Sequence, residues 1–348
     1  MPQHRPPLAQ RESIPLARKD SSASGVMLFA KESGPTSFSS LGVIKKALGT
    51  GKVGHTGTLD SFAEGLLVVL VGKMTRLVPY ITATEKRYQA VVAFGSETDT
   101  LEPSGQIIAT SPLPSRQQVE SALDRFRGTI SQVPPLYSAI HVDGQRASDL
   151  ARSGQQAQLP SREITVHSLA LTDFDGQHGL LEVTCSKGTY IRSLARDIAL
   201  AAGSRGHLVA LRRTGVGPFR LEDAVFSQRL TAFTLASRGQ GEVPAAKASQ
   251  QELEEVAAGL VQFVPGMAAA CGLESLVLSS GHETEFFQGR PPRSSWFTPW
   301  EGAVSVQPPP IEGQVRELPV FLETGELAGM VKKAGGRFHY CFVIPRQG

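Results

Sequence analysis

The sequence predicts an α+β protein in which a mixed, largely antiparallel sheet is followed by a small C-terminal β-rich domain. Three observations support this prediction. Strand-like segments outnumber helix-like segments over the first part of the chain. These strands adjoin one another instead of alternating regularly with helices, which argues against a parallel α/β sheet. Short strand-like runs return after residue 276, beyond a segment rich in Ala, Gln, Glu and Gly.

The first elements are a strand, a helix, a glycine loop and a second strand. VMLFAKESG reads as a strand that runs into the turn signal Gly34-Pro35. Thr36 or Ser37 can cap the next helix, whose apolar residues recur at helical spacing, and Gly49 stands where a glycine would end it. The loop GHTGTLD follows, and then the apolar run GLLVVLVG. A glycine-rich nucleotide loop follows a strand and opens a helix, so this order argues against a phosphate cradle.

The remaining elements follow from periodicity and turn residues. Helices are predicted at SRQQVESALDRFRG, closed by Gly128, and at TYIRSLARDIALAAG, followed by Gly203 after its end. Further strands are predicted at RYQAVVAFG, SQVPPLYSAIHVDG, EITVHSLALTDF and LLEVTCSKG. The C-terminal strands are LESLVLSS, LPVFLE, ELAGMVKK and RFHYCFVI. We see no internal repeat.

Composition shifts divide the chain into four parts. Residues 1–24 are rich in proline and charge and read as a disordered leader. Residues 25–228 form the main domain, and residues 276–348 form the small β-rich domain. Between them, residues 229–275 are interpreted as a connector that contains a solvated helix at ASQQELEEVAAGL.

Bulk properties favour a globular enzyme of the cytoplasm. The chain has 348 residues, 41% of them hydrophobic, and a formal net charge of +3. No apolar run reaches the roughly 18 residues that span a bilayer, and the N-terminus lacks the apolar core of a signal peptide. Cys185, Cys271 and Cys341 lie far apart, which predicts reduced thiols and no zinc site.

A basic segment and three tyrosines point to a nucleic-acid substrate. Residues 186–220 include seven basic residues and one acid. Tyr88, Tyr137 and Tyr190 each lie next to basic or glycine-rich residues, in KRYQ, PPLYSA and SKGTYIR. An aromatic ring beside a cation can stack on an extruded base while the cation contacts phosphate. Solvated surface and core packing are the alternatives for these residues.

Asp60 is the carboxylate with the most distinctive setting, because it ends the GHTGTLD loop just before an apolar strand. A carboxylate beside apolar surface needs a partner, and such carboxylates recur at active sites. Glu64 could form with Asp60 the carboxylate pair of a glycoside hydrolase. A turn or cap residue is the alternative for Asp60, and an exposed loop acid is the alternative for Glu64.

Taken together and in their order, five regions resemble the TruB family, the bacterial tRNA pseudouridine-55 synthases. They cover roughly residues 25–225. The resemblance implies the pseudouridine synthase fold with a C-terminal domain similar to the RNA-binding PUA fold. The matching segments are KESGPTSFSSLGVIKKALG, KVGHTGTLDSFAEGLLVVLVGKMTRL, KRYQAVVAFGSETDT, GTISQVPPLYSAIHVDGQRASDLAR, and CSKGTYIRSLARDIA with GSRGHLVALRRTGVGPF.

The resemblance also implies a role for each residue of the site. Asp60 matches the essential catalytic aspartate, and Arg192 is expected to pair with it. Tyr88 would stack on the target base, and His55 would assist its extrusion. The other matches are Tyr190 and Leu208 in the pocket and Lys187, Arg212 and Arg213 as contacts to RNA phosphate.

The implied reaction breaks the glycosidic bond of a uridine in the T-arm loop of tRNA, at position 55. The base then rotates and rejoins the sugar through C5, which requires no metal or other cofactor. Whether Asp60 attacks the sugar, attacks the base or acts as a base itself stays open. The implied partner is tRNA; a monomer with no obligate protein partner and no membrane contact is expected.

The chain departs from the family pattern at three positions. Ser61 and Glu64 replace a proline and a threonine that commonly follow the catalytic aspartate, and His141 replaces a lysine. Two other functions are also weighed. One is an RNA-binding or tRNA-folding protein with secondary catalysis, and the other is a glycoside hydrolase that uses Asp60 and Glu64.

Overall fold

The computed structural model describes residues 23–82, 84–138, 141–142, 145–146, 149, 159–237, 248–302 and 315–345. The predicted leader therefore lies outside the described residues except for its last two positions. Residues 238–247 of the predicted connector and residues 303–314 of the C-terminal part lie outside them as well.

A mixed sheet forms the centre of the larger domain, as predicted. The strands of this domain are β1 (Gly25–Lys31), β2 (Val53–His55), β3 (Glu64–Val71), β4 (Lys86–Phe94), β5 (Ser96–Thr98), β6 (Ile107–Thr110), β7 (Gly128–Gln132), β8 (His141–Val142), β9 (Gln145–Arg146), β10 (Arg162–Phe174), β11 (His178–Cys185), β12 (Gly206–Val216) and β13 (Phe219–Arg220). In the described part of the chain, nine of them form one sheet in the order β1-β3-β12-β4-β11-β10-β7, with β2 beside β3 and β13 beside β12. The pair β12 and β3 is parallel, whereas the other pairs are antiparallel. Strands β5–β6 and β8–β9 form two separate hairpin sheets.

Strand β3 is buried along almost its whole length. Its six residues from Leu66 to Val71 have no solvent exposure. A strand with such an unbroken apolar run is buried on both faces. It pairs with β1 on one side and β12 on the other, so the sequence that directly precedes it is anchored to the centre of the domain.

The helices begin and end mostly where local signals predict. They are α1 (Ser37–Leu48), α2 (Val78–Thr82), α3 (Arg116–Leu123), α4 (Ile191–Ala201), α5 (Gln250–Ala258), α6 (Pro265–Ala270) and α7 (Glu283–Phe287). The hydroxyl of Thr36 accepts the amide of Ser39, and Gly49 ends α1 with a φ of 63°. Helix α5 packs against α1 and buries Val256 completely, so it is not the fully solvated helix that the sequence predicts.

Two predicted elements differ from the structure. Helix α3 ends at Leu123 because a 3₁₀ turn over Asp124–Phe126 follows it, and Gly128 opens β7 instead of closing the helix. The predicted strand SQVPPLYSAIHVDG is interrupted after Gln132. Two consecutive prolines at 134 and 135 lack the amide donors that a strand needs there.

The C-terminal β domain is present, as predicted. Its strands are β14 (Leu276–Leu278), β15 (Phe297–Pro299), β16 (Arg316–Leu322), β17 (Leu327–Ala334) and β18 (Arg337–Val343), in the order β15-β14-β16-β17-β18. Lys73 and Arg76 of the larger domain donate to the carbonyls of Pro345 and Val343 at 2.6 and 2.7 Å. No helix among the described residues is both long and apolar enough to cross a membrane.

Candidate active site

The loop that ends at Asp60 is held from both sides by buried polar groups. Ser37, in the first turn of α1, donates to the carbonyl of Leu59 at 2.9 Å and accepts its amide at 2.8 Å. The fully buried ammonium of Lys31 donates to the carbonyls of Ser61 and Ala63 at 3.1 and 2.5 Å. These bonds fix the peptide that joins Leu59 to Asp60 and the carbonyls of Ser61 and Ala63 just beyond it.

Asp60 and Arg192 lie together as an ion pair. Nη2 of Arg192 donates to Oδ1 of Asp60 at 3.3 Å. Nε lies 3.0 Å from Oδ2 without the alignment of a hydrogen bond. The side chain of Arg192 is 5% exposed and that of Asp60 is 32% exposed. The carboxylate is thus held by a buried cation on one side and stays accessible on the other.

The guanidinium of Arg192 is fixed by three further acceptors. Nη1 lies 2.6 Å from Oε1 of Glu102 and donates to the carbonyl of Thr100 at 3.0 Å. Nη2 also donates to the carbonyl of Tyr137 at 2.9 Å. These contacts, together with the one to Asp60, hold the guanidinium of Arg192 in one position. Arg192 therefore sets the position of Asp60.

Glu102 is a site residue that the sequence analysis missed. It follows Leu101, which is buried and has a left-handed backbone with a φ of 59°. Burial raises the pKa of Glu102 to about 7, Arg192 opposes this shift, and the charges of Asp60 and Asp99 add to it. No local pattern distinguishes Glu102 from the other acids of SETDTLEPSG.

The raised pKa of Glu102 predicts a pH dependence of stability. A carboxyl with a raised folded pKa binds its proton more tightly in the folded state, so its contribution is present below pH 4.5 and is lost as the pH rises through about 7. In the wild-type protein the free energy of unfolding should therefore fall by up to about 1.4 kcal/mol per pH unit over this range, and Glu102→Gln should remove this decrease. Urea unfolding between pH 4.5 and 8 measures it. Glu120→Gln, at an exposed glutamate paired with Arg116, should behave as wild type. An unchanged slope in Glu102→Gln would contradict the assignment.

Tyr88 lies on β4 with its side chain almost fully buried. Burial raises the pKa of its hydroxyl to about 12, while Arg213 acts in the opposite direction. The charge of Asp60 adds a smaller upward contribution, so the two side chains share one electrostatic environment. The hydroxyl therefore keeps its proton at neutral pH and can donate a hydrogen bond.

His55 ends β2 at the start of the same loop and is neutral. The amide of Gly57 donates to its Nδ1 at 3.3 Å, so the proton of the ring is on Nε2. Burial is the main cause that lowers the pKa of His55, and the charge of Arg213 is the second. A half-buried neutral ring at the mouth of the loop is suited to contact an unstacked base.

Tyr190 and Lys187 lie on the segment that leads into α4. The amide and carbonyl of Tyr190 bond the side chain of the buried Gln132 at 2.9 and 3.1 Å. The guanidinium of Arg162 lies over the ring of Tyr190, 5.5 Å from its centre. Lys187 is exposed in the turn after β11. It is thus free to contact phosphate, unlike the two arginines described below.

Leu208 is fully buried on β12, where it pairs with Val92. Leu211, on the same strand, pairs with Ala90, and Arg213 pairs with Tyr88. The apolar residue of β12 that is closer to Tyr88 in register is therefore Leu211. The sequence analysis missed it because both leucines belong to the same apolar run.

The structure corrects the predicted phosphate contacts of Arg212 and Arg213. Arg212 is 8% exposed and bonds Glu64 at 2.7 Å and the carbonyl of Thr231 at 2.7 Å. Arg213 is 1% exposed and bonds main-chain carbonyls inside the domain. Both guanidinium groups are buried, and each uses its Nε and Nη2 donors on acceptors within the domain. The sequence pattern of two adjacent arginines resembles a surface patch and gives no sign of this burial.

Glu64 does not form a carboxylate pair with Asp60. Its carboxylate is 13% exposed and is neutralised by Arg212 at the start of β3. The described residues therefore offer Asp60 no second carboxylate with the free access that a glycoside hydrolase needs. The described part of the chain also contains no cluster of three His, Cys, Asp or Glu side chains arranged to hold a metal ion.

Two family models match the chain in sequence. The model described as "TruB family pseudouridylate synthase (N terminal domain)" matches residues 45–191. The model described as "tRNA pseudouridylate synthase B C-terminal domain" matches residues 192–256. The boundary between the two matches falls between Ile191 and Arg192, at the start of α4.

Several curated relatives have the same name, tRNA pseudouridine synthase B. The protein of Treponema denticola named tRNA pseudouridine synthase B is 41% identical over 303 residues, which are 78% of this chain and 85% of the relative. The Bordetella parapertussis protein of the same name is 41% identical over 248 residues, 70% of this chain and 98% of the relative.

Solved structures share the fold at low sequence identity. A chain from an H/ACA ribonucleoprotein bound to a substrate RNA that contains 2'-deoxyuridine superposes with a TM-score of 0.63 and 20% identity, covering 93% of this chain and 86% of that one. A chain from an archaeal box H/ACA complex gives a TM-score of 0.62, also at 20% identity, over 97% and 94% of the two chains. With the sequence matches, these findings show that the chain belongs to the TruB family of pseudouridylate synthases.

Proposed function

We propose that this chain isomerises a uridine to pseudouridine in the T-arm loop of tRNA, at position 55. The observation that carries the proposal is the accessible carboxylate of Asp60, held by a buried arginine that three other groups fix in place. The relatives named tRNA pseudouridine synthase B support tRNA as the substrate.

Each residue of the site has a separate role in this isomerisation. His55 and Tyr88 receive the extruded base, and Tyr190 lines the pocket beside them. The C1′–N1 bond breaks, the base rotates, a C1′–C5 bond forms, and the proton from C5 leaves while N1 gains one. The reaction is balanced without an oxidant or reductant. The same accessible oxygen of Asp60 serves whether the carboxylate attacks the sugar, attacks the base or removes a proton.

Mapping of the modified position tests this function. The wild-type protein should form pseudouridine in an unmodified tRNA transcript at position 55 alone, as read by carbodiimide labelling and primer extension. The matched control is a transcript with cytidine at that position, which should stay unlabelled. If the protein binds and refolds the tRNA but no pseudouridine is detected, the alternative function, an RNA-binding or tRNA-folding protein, is favoured. Pseudouridine at another position would contradict the T-arm assignment.

Lys187 is proposed to contact RNA phosphate. Lys187→Ala should raise the KM for tRNA roughly 3- to 10-fold, leave kcat unchanged and lower the salt slope of binding by about one. Lys187→Arg, which keeps the charge, is the control. Filter binding at several salt concentrations measures the slope, and an unchanged slope in Lys187→Ala would remove Lys187 from the interface.

We further propose that the chain acts on tRNA as a monomer in the cytoplasm, without an obligate protein partner. The Bordetella parapertussis relative aligns with this chain over 98% of its own length, which supports a single-chain enzyme. Light scattering of the purified chain, together with activity measured on tRNA alone, tests this proposal. Activity that requires an added protein would contradict it.

A further inference from the structure

Arg213 on β12 is a buried charge whose role the proposed function leaves open. It is 1% exposed and is the largest of the fully buried side chains described. A guanidinium is costly to bury unless several acceptors satisfy it. The groups that satisfy Arg213 therefore indicate what the side chain does.

Those acceptors belong to two separate parts of the site. Nε donates to the carbonyl of Leu66 on β3 at 2.8 Å. Nη2 donates to the carbonyl of Gly57, in the loop between His55 and Asp60, at 3.0 Å. Tyr88 pairs with Arg213 across β4 and β12, and the charge of Arg213 opposes the burial that raises the pKa of the Tyr88 hydroxyl.

The backbone around Arg213 allows this arrangement. Gly65 pairs with Arg213 in the parallel ladder and has a φ of 110°. A Cβ at Gly65 would lie 2.4 Å from the carbonyl oxygen of Arg213, so β12 approaches β3 at a distance that only glycine permits. The side chain can thereby reach past β3 to the loop.

We infer that Arg213 is a positioning residue that fixes the loop carrying His55 and Asp60 relative to Tyr88. Its planar fork links the carbonyl of Gly57 to the carbonyl of Leu66 on β3, beside the paired Tyr88 on β4, and an ammonium group has a different reach and geometry. The inference rests on the proposed function. It assigns Arg213 to the geometry of the reacting groups and not to RNA phosphate.

The test compares two conservative variants of adjacent buried arginines. Arg213→Lys keeps the charge but cannot reproduce the geometry that bonds both carbonyls, so kcat should fall roughly 100-fold while KM stays close to wild type. Arg212→Lys is the control. Arg212 bonds Glu64 and Thr231 instead, so the variant loses a comparable buried guanidinium with kcat near wild type. Thermal melting should show similar losses of stability in both variants.

Amide hydrogen exchange gives a readout that is independent of activity. Residues 55–60 should exchange faster in Arg213→Lys than in Arg212→Lys. Equal kcat values and equal exchange in the two variants would overturn the inference, as would a change confined to KM. If Arg213→Lys does not fold, Arg213→Gln keeps one pair of donors and takes its place in both measurements.

The outcomes separate this inference from the proposed function. If the wild-type protein forms no pseudouridine, the proposed function fails, and hydrogen exchange over residues 55–60 alone decides whether Arg213 holds the loop. If the wild-type protein is active and the two variants behave alike, the proposed function stands and Arg213 is a structural residue only.

Discussion

Replacement of Arg192 by alanine is expected to reduce the rate of pseudouridine formation by roughly 1,000-fold or more. The buried guanidinium contacts both Asp60 and Glu102. Without it, the two carboxylates face each other with no cation between them, and Asp60 loses the group that fixes its position. Single-turnover rates with excess enzyme measure the loss without contribution from tRNA binding.

The same substitution should also lower the free energy of unfolding, by roughly 1–3 kcal/mol, because the partly buried Glu102 and the carbonyls of Thr100 and Tyr137 lose their donor. Arg192→Lys keeps the charge and should recover much of the stability but little of the rate, since the bonds to Thr100 and Tyr137 need the planar fork. Arg229→Ala breaks a more exposed pair with Glu252 and serves as control. An Arg192→Lys enzyme with nearly the wild-type rate would show that Arg192 supplies charge alone.

Local signals in the sequence predicted the elements well, because capping and periodicity act over a few residues. The cap at Thr36 and the left-handed Gly49 follow directly from residue type. Gly128 was misread since a glycine after a helical pattern can equally open the next strand. The length of β3 could be predicted from the sequence because a strand that is buried on both faces has an unbroken run of apolar residues.

The candidate site was only partly predictable. The resemblance to the TruB family led to Asp60 and Arg192, which the structure brings together although 132 residues separate them in the chain. Glu102 was missed because its partnership with Arg192 depends on a long-range contact. No pattern within SETDTLEPSG reports such a contact.

Arg212 and Arg213 illustrate the limit of reading charge from sequence. Adjacent strand residues point to opposite faces, and the two arginines of β12 are buried in different surroundings, one against Glu64 and the other against main-chain carbonyls. Two adjacent arginines can occur both in a basic surface patch and in a strand that is buried on both faces. Only the register with β3 and β4 distinguishes them.

Asp60→Asn is the substitution with the largest expected effect. The amide keeps the shape of the carboxylate but removes its charge and most of its nucleophilic and basic character, so the rate should fall roughly 10,000-fold or more. Asp60 is partly exposed, so tRNA binding and the melting temperature should stay close to wild type. Loss of binding together with activity would indicate a structural role for Asp60 instead.

Tritium release from tRNA labelled at C5 of uridine tests the central claim most directly. The wild-type protein should release about one equivalent of tritium per tRNA, because one C5–H bond is broken for each pseudouridine formed. Asp60→Asn should release none while it still binds the same tRNA. Release by Asp60→Asn at the wild-type rate, or no release by the wild-type protein with tRNA bound, would contradict the account.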